Sequence, residues 1–106
     1  DDYIYIKDVG RCIATAVNTQ IISDFEIFNL GTGQVSTLEQ ILEIVDRWFP
    51  KANIQINKPQ HRSAIKRIPM NIEKIRNKLG YEPYFNISNG LNDYYLLTGL
   101  GKKTIS

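Results

Sequence analysis

Two short stretches of this sequence have residue types and spacing that could do chemistry. The first is Gly31-Thr32-Gly33, which lies between a predicted strand and a predicted helix, where a dinucleotide-binding turn would lie. Ser36 replaces the third glycine of the G-x-G-x-x-G pattern, and the next predicted strand ends in Asn57 and Lys58 rather than in a ribose-binding acid. The glycines are therefore interpreted as a tight turn, and Ser36 as the cap of the following helix.

The second stretch contains Tyr3 and Lys7, which have the Tyr-x-x-x-Lys spacing of a catalytic dyad. Such a dyad requires a helix, because residues four apart then share one face and the ammonium can lower the pKa of the phenol. The intervening Ile-Tyr-Ile favours a strand, which would hold the pair about 13 Å apart at roughly 3.3 Å per residue. The spacing is therefore interpreted as coincidence.

The composition excludes several classes of site and partner. His61 is the only histidine and Cys12 the only cysteine, so no metal site is predicted. A single cysteine allows no internal disulfide and favours a cytoplasmic location, and its place on an apolar helix face predicts a buried thiol. The net charge of +2 is too weak to indicate nucleic acid, and no apolar stretch is long enough to indicate a membrane span.

Charge is more unevenly distributed than the total suggests. Glu73 is the only acidic residue between Lys58 and Lys78. The basic residues between these two lysines are Arg62, Lys66, Arg67, Lys74 and Arg76. This stretch could bind an anionic ligand or could be an ordinary solvated surface, and the sequence leaves both readings open.

The elements that must position these residues follow from periodicity. Strands are predicted at residues 3–6, 25–30 and 53–57. Helices are predicted after Asp8 as a cap, after a Ser36–Glu39 capping box, over residues 72–79 with Gly80 as a left-handed cap, and from near Ser88 to Leu97. This order predicts a small mixed α/β domain over residues 1–98, followed by a flexible tail at 99–106. Three short strands make a marginal sheet, so an exposed edge or apolar face is expected.

Four segments, in order, resemble the extended short-chain dehydrogenase/reductase family of NAD-dependent epimerases and dehydratases. Asp2–Val9 is similar to the family's Arg-Asp-Tyr/Phe-Ile-His-Val-x-Asp-Val/Leu stretch, and Phe28–Gly33 to its Tyr/Phe-Asn-Leu/Ile-Gly-Ser/Thr-Gly turn. Asn71–Lys74 with Leu79–Pro83 resembles the family's Asp-Ile-Ser-Lys and Leu-Gly-Trp/Tyr-x-Pro pair. Asn89–Leu91 resembles the Glu-Gly-Leu that opens the last helix of the family.

The resemblance covers only the C-terminal, substrate-binding third of the family. It implies that a Rossmann domain, which holds NAD or NADP and supplies the catalytic Ser/Thr, Tyr and Lys, would precede Asp1. The chain would then have no cofactor-binding or catalytic residue and no turnover by itself. Its implied partners are a nucleotide-diphosphate sugar and the missing Rossmann domain, and a second copy in a homodimer is also allowed.

The resemblance also implies where phosphate would bind. The family's Arg-x-Gly-Asp loop falls at His61-Arg62-Ser63-Ala64, which places its arginine on His61. Arg62, one position later, is the expected pyrophosphate contact, with His61 and Arg67 in reserve. The family arginine before Asp-Tyr/Phe-Ile falls at Asp1. The residues expected to shape the turn and caps beside the cleft are Asp8, Asn29, Gly31, Gly33 and Ser36. The alternatives are a non-catalytic binding or assembly module and a family reductase with another substrate.

Overall fold

The computed structural model of the protein describes residues 1–20, 24–57 and 67–99. In these ranges the chain forms four helices: α1 (Ile6–Asn18), α2 (Leu38–Trp48), α3 (Glu73–Leu79) and α4 (Ile87–Leu97). No described helix is long and apolar enough to cross a membrane. The described residues contain no strand, so the predicted mixed α/β fold is not seen, although helices are present in all four predicted regions.

The predicted strands fail because a strand requires a neighbour for its backbone N–H and C=O groups. Residues 3–5 lead directly into α1, and residues 24–30 and 52–57 form no ladder with another described segment. Burial nevertheless alternates along residues 25–30, with Glu26, Phe28 and Leu30 partly buried and Ile27 exposed. The β-branched and aromatic residues favoured strands but could not indicate pairing, and residues 53–57 are all exposed.

Local signals at the helix ends account for the start and end of most of the helices. The αL residue Gly80, with φ of 67°, ends α3 as predicted. Asn86 and Asn89 form a reciprocal capping box at the start of α4. Helix α1, in contrast, starts after Tyr5 with no side-chain cap, so the predicted cap at Asp8 is wrong.

The apolar side chains form two packing centres. In the first, α1, α3 and the segment at 28–30 share a core; its buried members are Cys12, Ile72, Ile75, Leu79 and Tyr81, with Ala16, Phe28 and Leu30 packed against them. The predicted burial of the Cys12 thiol is confirmed. In the second, α2 packs against α4. There the Trp48 and Tyr95 rings stack at 4.5 Å between centroids, and Phe49 meets Tyr95 edge-on at 6.1 Å.

Candidate functional site

The Gly31-Thr32-Gly33 turn wraps around the carboxylate of Asp2. Oδ1 of Asp2 accepts hydrogen bonds from the Thr32 N–H at 2.9 Å and the Thr32 hydroxyl at 2.6 Å. Oδ2 accepts from the N–H groups of Gly33 at 2.9 Å and Met70 at 3.1 Å. Successive N–H groups in a turn form a concavity that binds anions. Here the anion is the chain's own carboxylate, so these N–H groups are not open to a phosphate.

This packing gives a physical reason for glycine at both ends of the turn. A Cβ at Gly31 would lie 2.9 Å from Oδ2 of Asp2 and 3.0 Å from Cβ of Met70, which is inside normal contact distance. Gly33 has φ of +73°, in the left-handed region that strains other residues. From the core side, the Tyr81 hydroxyl donates to the Gly31 carbonyl at 3.3 Å.

Asp2 was missed at the sequence level, although a signal for it exists. Burial raises the pKa of its carboxyl, but the hydrogen bonds from Thr32, Met70 and Gly33 together outweigh that effect and leave the pKa below 3.8. The charged form is therefore the one that the turn stabilises. The signal is the Gly-x-Gly turn, whose successive N–H groups can bind an anion, but the sequence does not show which acid of the chain supplies it.

Asp8 is a fully buried carboxylate inside α1. Its Oδ1 accepts from Arg11 Nη2 at 2.7 Å and from the Tyr84 N–H at 3.1 Å, while Oδ2 accepts from the Phe85 N–H at 3.0 Å. These donors offset the large cost of burying a charge. Arg11 also donates to the Glu82 carbonyl at 2.7 Å. Asp8 therefore joins α1 to the chain leading into α4 instead of capping a helix.

Ser36 does not cap α2 either, and that prediction is corrected by one residue. Thr37 is the cap: its hydroxyl accepts from the Gln40 N–H at 3.2 Å, and Gln40 Oε1 accepts from the Thr37 N–H at 2.9 Å. Both Ser36–Glu39 and Thr37–Gln40 fit the capping-box pattern. The backbone of Ser36 is engaged with Asp1, whose carbonyl accepts from the Ser36 N–H at 2.9 Å and whose nitrogen donates to the Ser36 carbonyl at 3.2 Å.

Among the residues expected to bind phosphate, the structure describes only Arg67. Its Nε lies 3.2 Å from Oδ1 of Asp1, and both side chains are exposed. Arg62 and His61 lie outside the described residues. Asn29 is exposed in the segment that leads to the turn. Arg67 therefore pairs with Asp1, which occupies the position of an arginine in the family that the sequence resembles.

The described part of the basic stretch, residues 67–78, is neutralised by acids that lie outside it in sequence. Glu26 pairs with Lys74 at 2.9 Å and with Lys78 at 2.7 Å, and hydrogen bonds from Lys78 and Lys74 hold the pKa of Glu26 below 4.5. Arg76 pairs with Glu82 at 2.5 Å. With Arg67 on Asp1, each cation of this stretch that the structure describes has an acidic partner, so these residues form no free positive patch.

Tyr3 and Lys7 hydrogen-bond to different carboxylates. The Tyr3 hydroxyl donates to Asp1 at 3.5 Å, whereas Lys7 Nζ lies 2.8 Å from Oδ2 of Asp93. Tyr5, not Tyr3, shares that carboxylate, through a 2.5 Å hydrogen bond. The hydrogen bond to Asp93 raises the pKa of Tyr5 to about 12, which opposes a role as a base. The pair is no dyad: Tyr3 lies before α1 and Lys7 lies in its first turn, and of the strand predicted at residues 3–6 only Ile6 is helical.

Two open clefts lie beside α2 and α4. One is mainly apolar and is lined by Tyr3, Ile4, Tyr5, Ile41, Asn86, Ile87, Gly90 and Leu91. The other is more polar and is lined by Ile44, Arg47, Trp48, Ser88, Asn89 and Asn92. Neither lining includes Asn29, Gly31, Gly33 or Arg67. The structure thus places the turn and Arg67 together around Asp1 and Asp2 instead of in either cleft.

Comparison with known proteins shows partial similarity to sugar-modifying enzymes. The chain is 29% identical over 92 residues to the dTDP-4-dehydro-6-deoxyglucose reductase of Escherichia coli, covering 86% of this chain and 28% of the enzyme. It is 31% identical over 91 residues to the UDP-glucuronate 4-epimerase of Thermodesulfobacterium geofontis, covering 85% of this chain and 27% of the enzyme. An uncharacterized protein of Methanocaldococcus jannaschii is 29% identical over 93 residues, covering 88% of this chain and 28% of that protein.

No family model matches the chain, and no solved structure matches it significantly. The chain spans little more than a quarter of the length of these curated relatives, while the alignments cover most of its own length. The similarity therefore relates the chain, distantly and in part, to a sugar-nucleotide reductase and epimerase.

Proposed function

We propose that the chain is the substrate-side region of an NAD(P)-dependent enzyme that epimerises or dehydrates a nucleotide-diphosphate sugar in the cytoplasm. The observation that carries this proposal is the similarity to the reductase and the epimerase over 86% and 85% of the chain. In this proposal the cofactor site, for NAD or NADP, and the catalytic residues belong to a part of a longer polypeptide outside these 106 residues. The chain binds and orients the substrate, and by itself it has no turnover.

The ion pairs of the described residues disfavour the other cations of the basic stretch as pyrophosphate contacts. Arg67 is paired with Asp1, Lys74 and Lys78 with Glu26, and Arg76 with Glu82, so a phosphate would have to displace a carboxylate from any of them. Arg62 carries the planar, bidentate donors that match phosphate oxygens. His61 is its neighbour in sequence, and Arg67 is the reserve contact if a phosphate displaces Asp1 from it.

Calorimetric titration of the chain with UDP, dTDP and a UDP-sugar tests this proposal. We expect binding that Arg62→Ala weakens at least about tenfold, because a charge-assisted bidentate contact is lost. Arg76→Ala is the matched control, since it removes an arginine of the same stretch that is already paired with Glu82. Equal affinity of Arg62→Ala and the unchanged chain would reject Arg62, and an absence of binding in a folded chain would reject a self-sufficient half-site.

One observation favours a second candidate, a binding or assembly module without chemistry. Asp1, which pairs with Arg67, stands where the family that the sequence resembles has an arginine, and Ala64 stands where the loop of that family has an acid. Sequencing the remainder of the gene separates the candidates. A glycine-rich strand–helix turn and a helical Tyr-x-x-x-Lys upstream would support the enzyme, including a reductase with another substrate, and their absence would support the module.

A further inference from the structure

The more polar of the two clefts, which we call the α2–α4 polar cleft, has the residues of a small-molecule site. Both helices contribute to its lining, which consists of Ile44, Arg47, Trp48, Ser88, Asn89 and Asn92. Its volume is about 300 Å³, at the lower end of the range for small-molecule sites. No acidic side chain belongs to this lining. The cleft can therefore take a small anion without displacing a carboxylate.

Packing of α2 on α4 fixes the apolar wall of this cleft. Ile44 is 7% exposed, and the Trp48 ring stacks on Tyr95 with 4.5 Å between centroids and 15° between the ring planes. Side chains packed in this way cannot move aside without losing buried contact. The wall is therefore already formed in the chain without a ligand.

Arg47 is a cation without a partner in the described part of the chain. The described cations that pair with a carboxylate are Lys7, Arg11, Arg67, Lys74, Arg76 and Lys78. Arg47 and Lys51 form no ion pair or hydrogen bond through their side chains with a described residue, and only Arg47 lines the cleft. A guanidinium has forked donors that match the oxygens of a carboxylate or a phosphate. Arg47 is thus available to an anion from outside the chain.

The polar side chains that α4 contributes to the cleft also have donors to spare. Oδ1 of Asn89 accepts from the Asn86 N–H at 2.7 Å, so the NH₂ group, a donor, is what remains of that amide. The side chains of Ser88 and Asn92 form no hydrogen bond with a described residue. One hydroxyl and two amides therefore stand beside one guanidinium, which favours a ligand that accepts hydrogen bonds.

We propose that the α2–α4 polar cleft binds the phosphate or carboxylate group of a small molecule. Arg47 is the charge partner of this group, and Ser88, Asn89 and Asn92 donate hydrogen bonds to it. The apolar wall contacts the uncharged part of the same molecule. Both groups share the oxyanion chemistry that these donors recognise. The inference concerns a site other than Arg62 and does not rest on the proposed function.

Fluorescence titration tests this inference, because Trp48 is the only tryptophan and lines the cleft. The 106-residue chain is titrated with sodium phosphate and, separately, with sodium acetate, while sodium chloride keeps the ionic strength constant. We expect a saturable change with at least one anion and a Kd on the order of 1 mM, since a ligand of so few atoms gains little binding energy. The anion with the lower Kd identifies the preferred group.

Three variants show whether the anion binds in the cleft. Arg47→Gln should raise the Kd at least about tenfold, because the charge-assisted contact is lost. Asn92→Ala keeps the charge but removes a donor, and should raise the Kd about threefold. Lys51→Gln is the matched control: it removes the other unpaired described cation, which lies outside the lining, and should change the Kd by less than about twofold. Far-ultraviolet circular dichroism checks that each variant is folded.

An unchanged fluorescence with both anions would overturn the inference, as would an equal Kd for Arg47→Gln and Lys51→Gln. A response that Arg62→Ala abolishes and Arg47→Gln leaves intact would also overturn it, because the anion would then bind at the proposed pyrophosphate contact. A response that requires Arg47, in a chain that binds no nucleotide sugar, would uphold the cleft while the proposed half-site fails.

Discussion

Asp2 and Asp8 lie within one short motif, and each carboxylate accepts backbone N–H groups from far along the chain. Asp2 bonds to residues 30, 31 and 68 positions away, and Asp8 to residues 76 and 77 positions away. A carboxylate has two oxygens with about four lone-pair sites and can therefore join several segments at once. The acids of this motif thus hold the fold together, which is a different task from binding ligand.

Asp2→Asn should destabilise the chain by about 2 kcal/mol in urea unfolding. The amide can keep one oxygen toward Thr32, but its NH₂ group then faces the N–H groups of Gly33 and Met70, which lose their acceptor. Asp46→Asn, at an exposed position on α2, is the control and should change stability by less than about 0.5 kcal/mol. Equal effects of the two variants would show that the Asp2 hydrogen bonds do not stabilise the turn.

The stability difference between the unchanged chain and Asp2→Asn should depend on pH. The pKa of Asp2 is lower in the folded chain than its ordinary value of 3.8, so the charged carboxylate stabilises the fold above that value. This contribution is lost as the pH falls through the lowered pKa, where the folded chain also takes up the proton. The stability gap between the unchanged chain and Asp2→Asn should therefore be full at pH 6 and shrink below about pH 4. A gap that is constant down to pH 2.5 would contradict the role of the charge.

At the scale of elements, the helices are set by signals within a few residues of their ends. Gly80 ends α3 in the left-handed region, and capping boxes begin α2 and α4. The register of α2, however, depends on a residue far away in sequence. Asp1 pairs with the backbone of Ser36 and leaves Thr37 as the first residue free to cap.

Alanine substitutions at Ser36 and at Thr37 test which of the two residues caps α2. Thr37→Ala should lower stability by about 1 kcal/mol, because the Gln40 N–H loses its acceptor at the start of α2. Ser36→Ala should have little effect, since Ser36 contacts Asp1 through its backbone. Urea unfolding followed by far-ultraviolet circular dichroism measures both variants. A larger loss for Ser36→Ala would restore the original assignment of the cap.

At the scale of the whole molecule, two packing centres are joined by polar contacts. The α1–α3 centre contains five buried hydrophobic side chains, whereas Ile44 is the only buried hydrophobic side chain among the described residues of the α2–α4 pair. Two carboxylates connect the centres. Asp8 accepts hydrogen bonds from the Tyr84 and Phe85 N–H groups, and Asp93 accepts one from Tyr5 and forms an ion pair with Lys7. Local stability follows buried apolar contact, so the two centres should differ in stability.

Unfolding should therefore begin at the α2–α4 pair. Trp48, the only tryptophan, stacks on Tyr95 and reports that pair by fluorescence, while the buried Cys12 thiol reports the α1–α3 core by its reactivity. We expect the fluorescence midpoint at a lower urea concentration than the midpoint of thiol exposure. Coincident transitions would instead show that the polar contacts make one cooperative unit.

The sequence by itself determined the helices and several of their ends. Ile72, Ile75 and Leu79 recur at helical spacing, and Gly80 ends that helix, because the hydrogen bonds and caps of a helix lie within one turn of the chain. The apolar pattern also predicted the burial of Cys12 correctly. The limits of the domain at residue 98 and the tail at 99–106 remain predictions.

Only the tertiary structure decided which charged groups form ion pairs and which backbone groups the buried carboxylates bind. Glu26 lies 52 positions from Lys78, and Asp2 lies 68 positions from Met70, so no local pattern could show that these groups meet. The predicted strands depend likewise on a neighbour that the described residues do not supply. A helix carries its hydrogen-bond partners within itself, whereas a strand, an ion pair and a buried carboxylate take theirs from elsewhere in the fold.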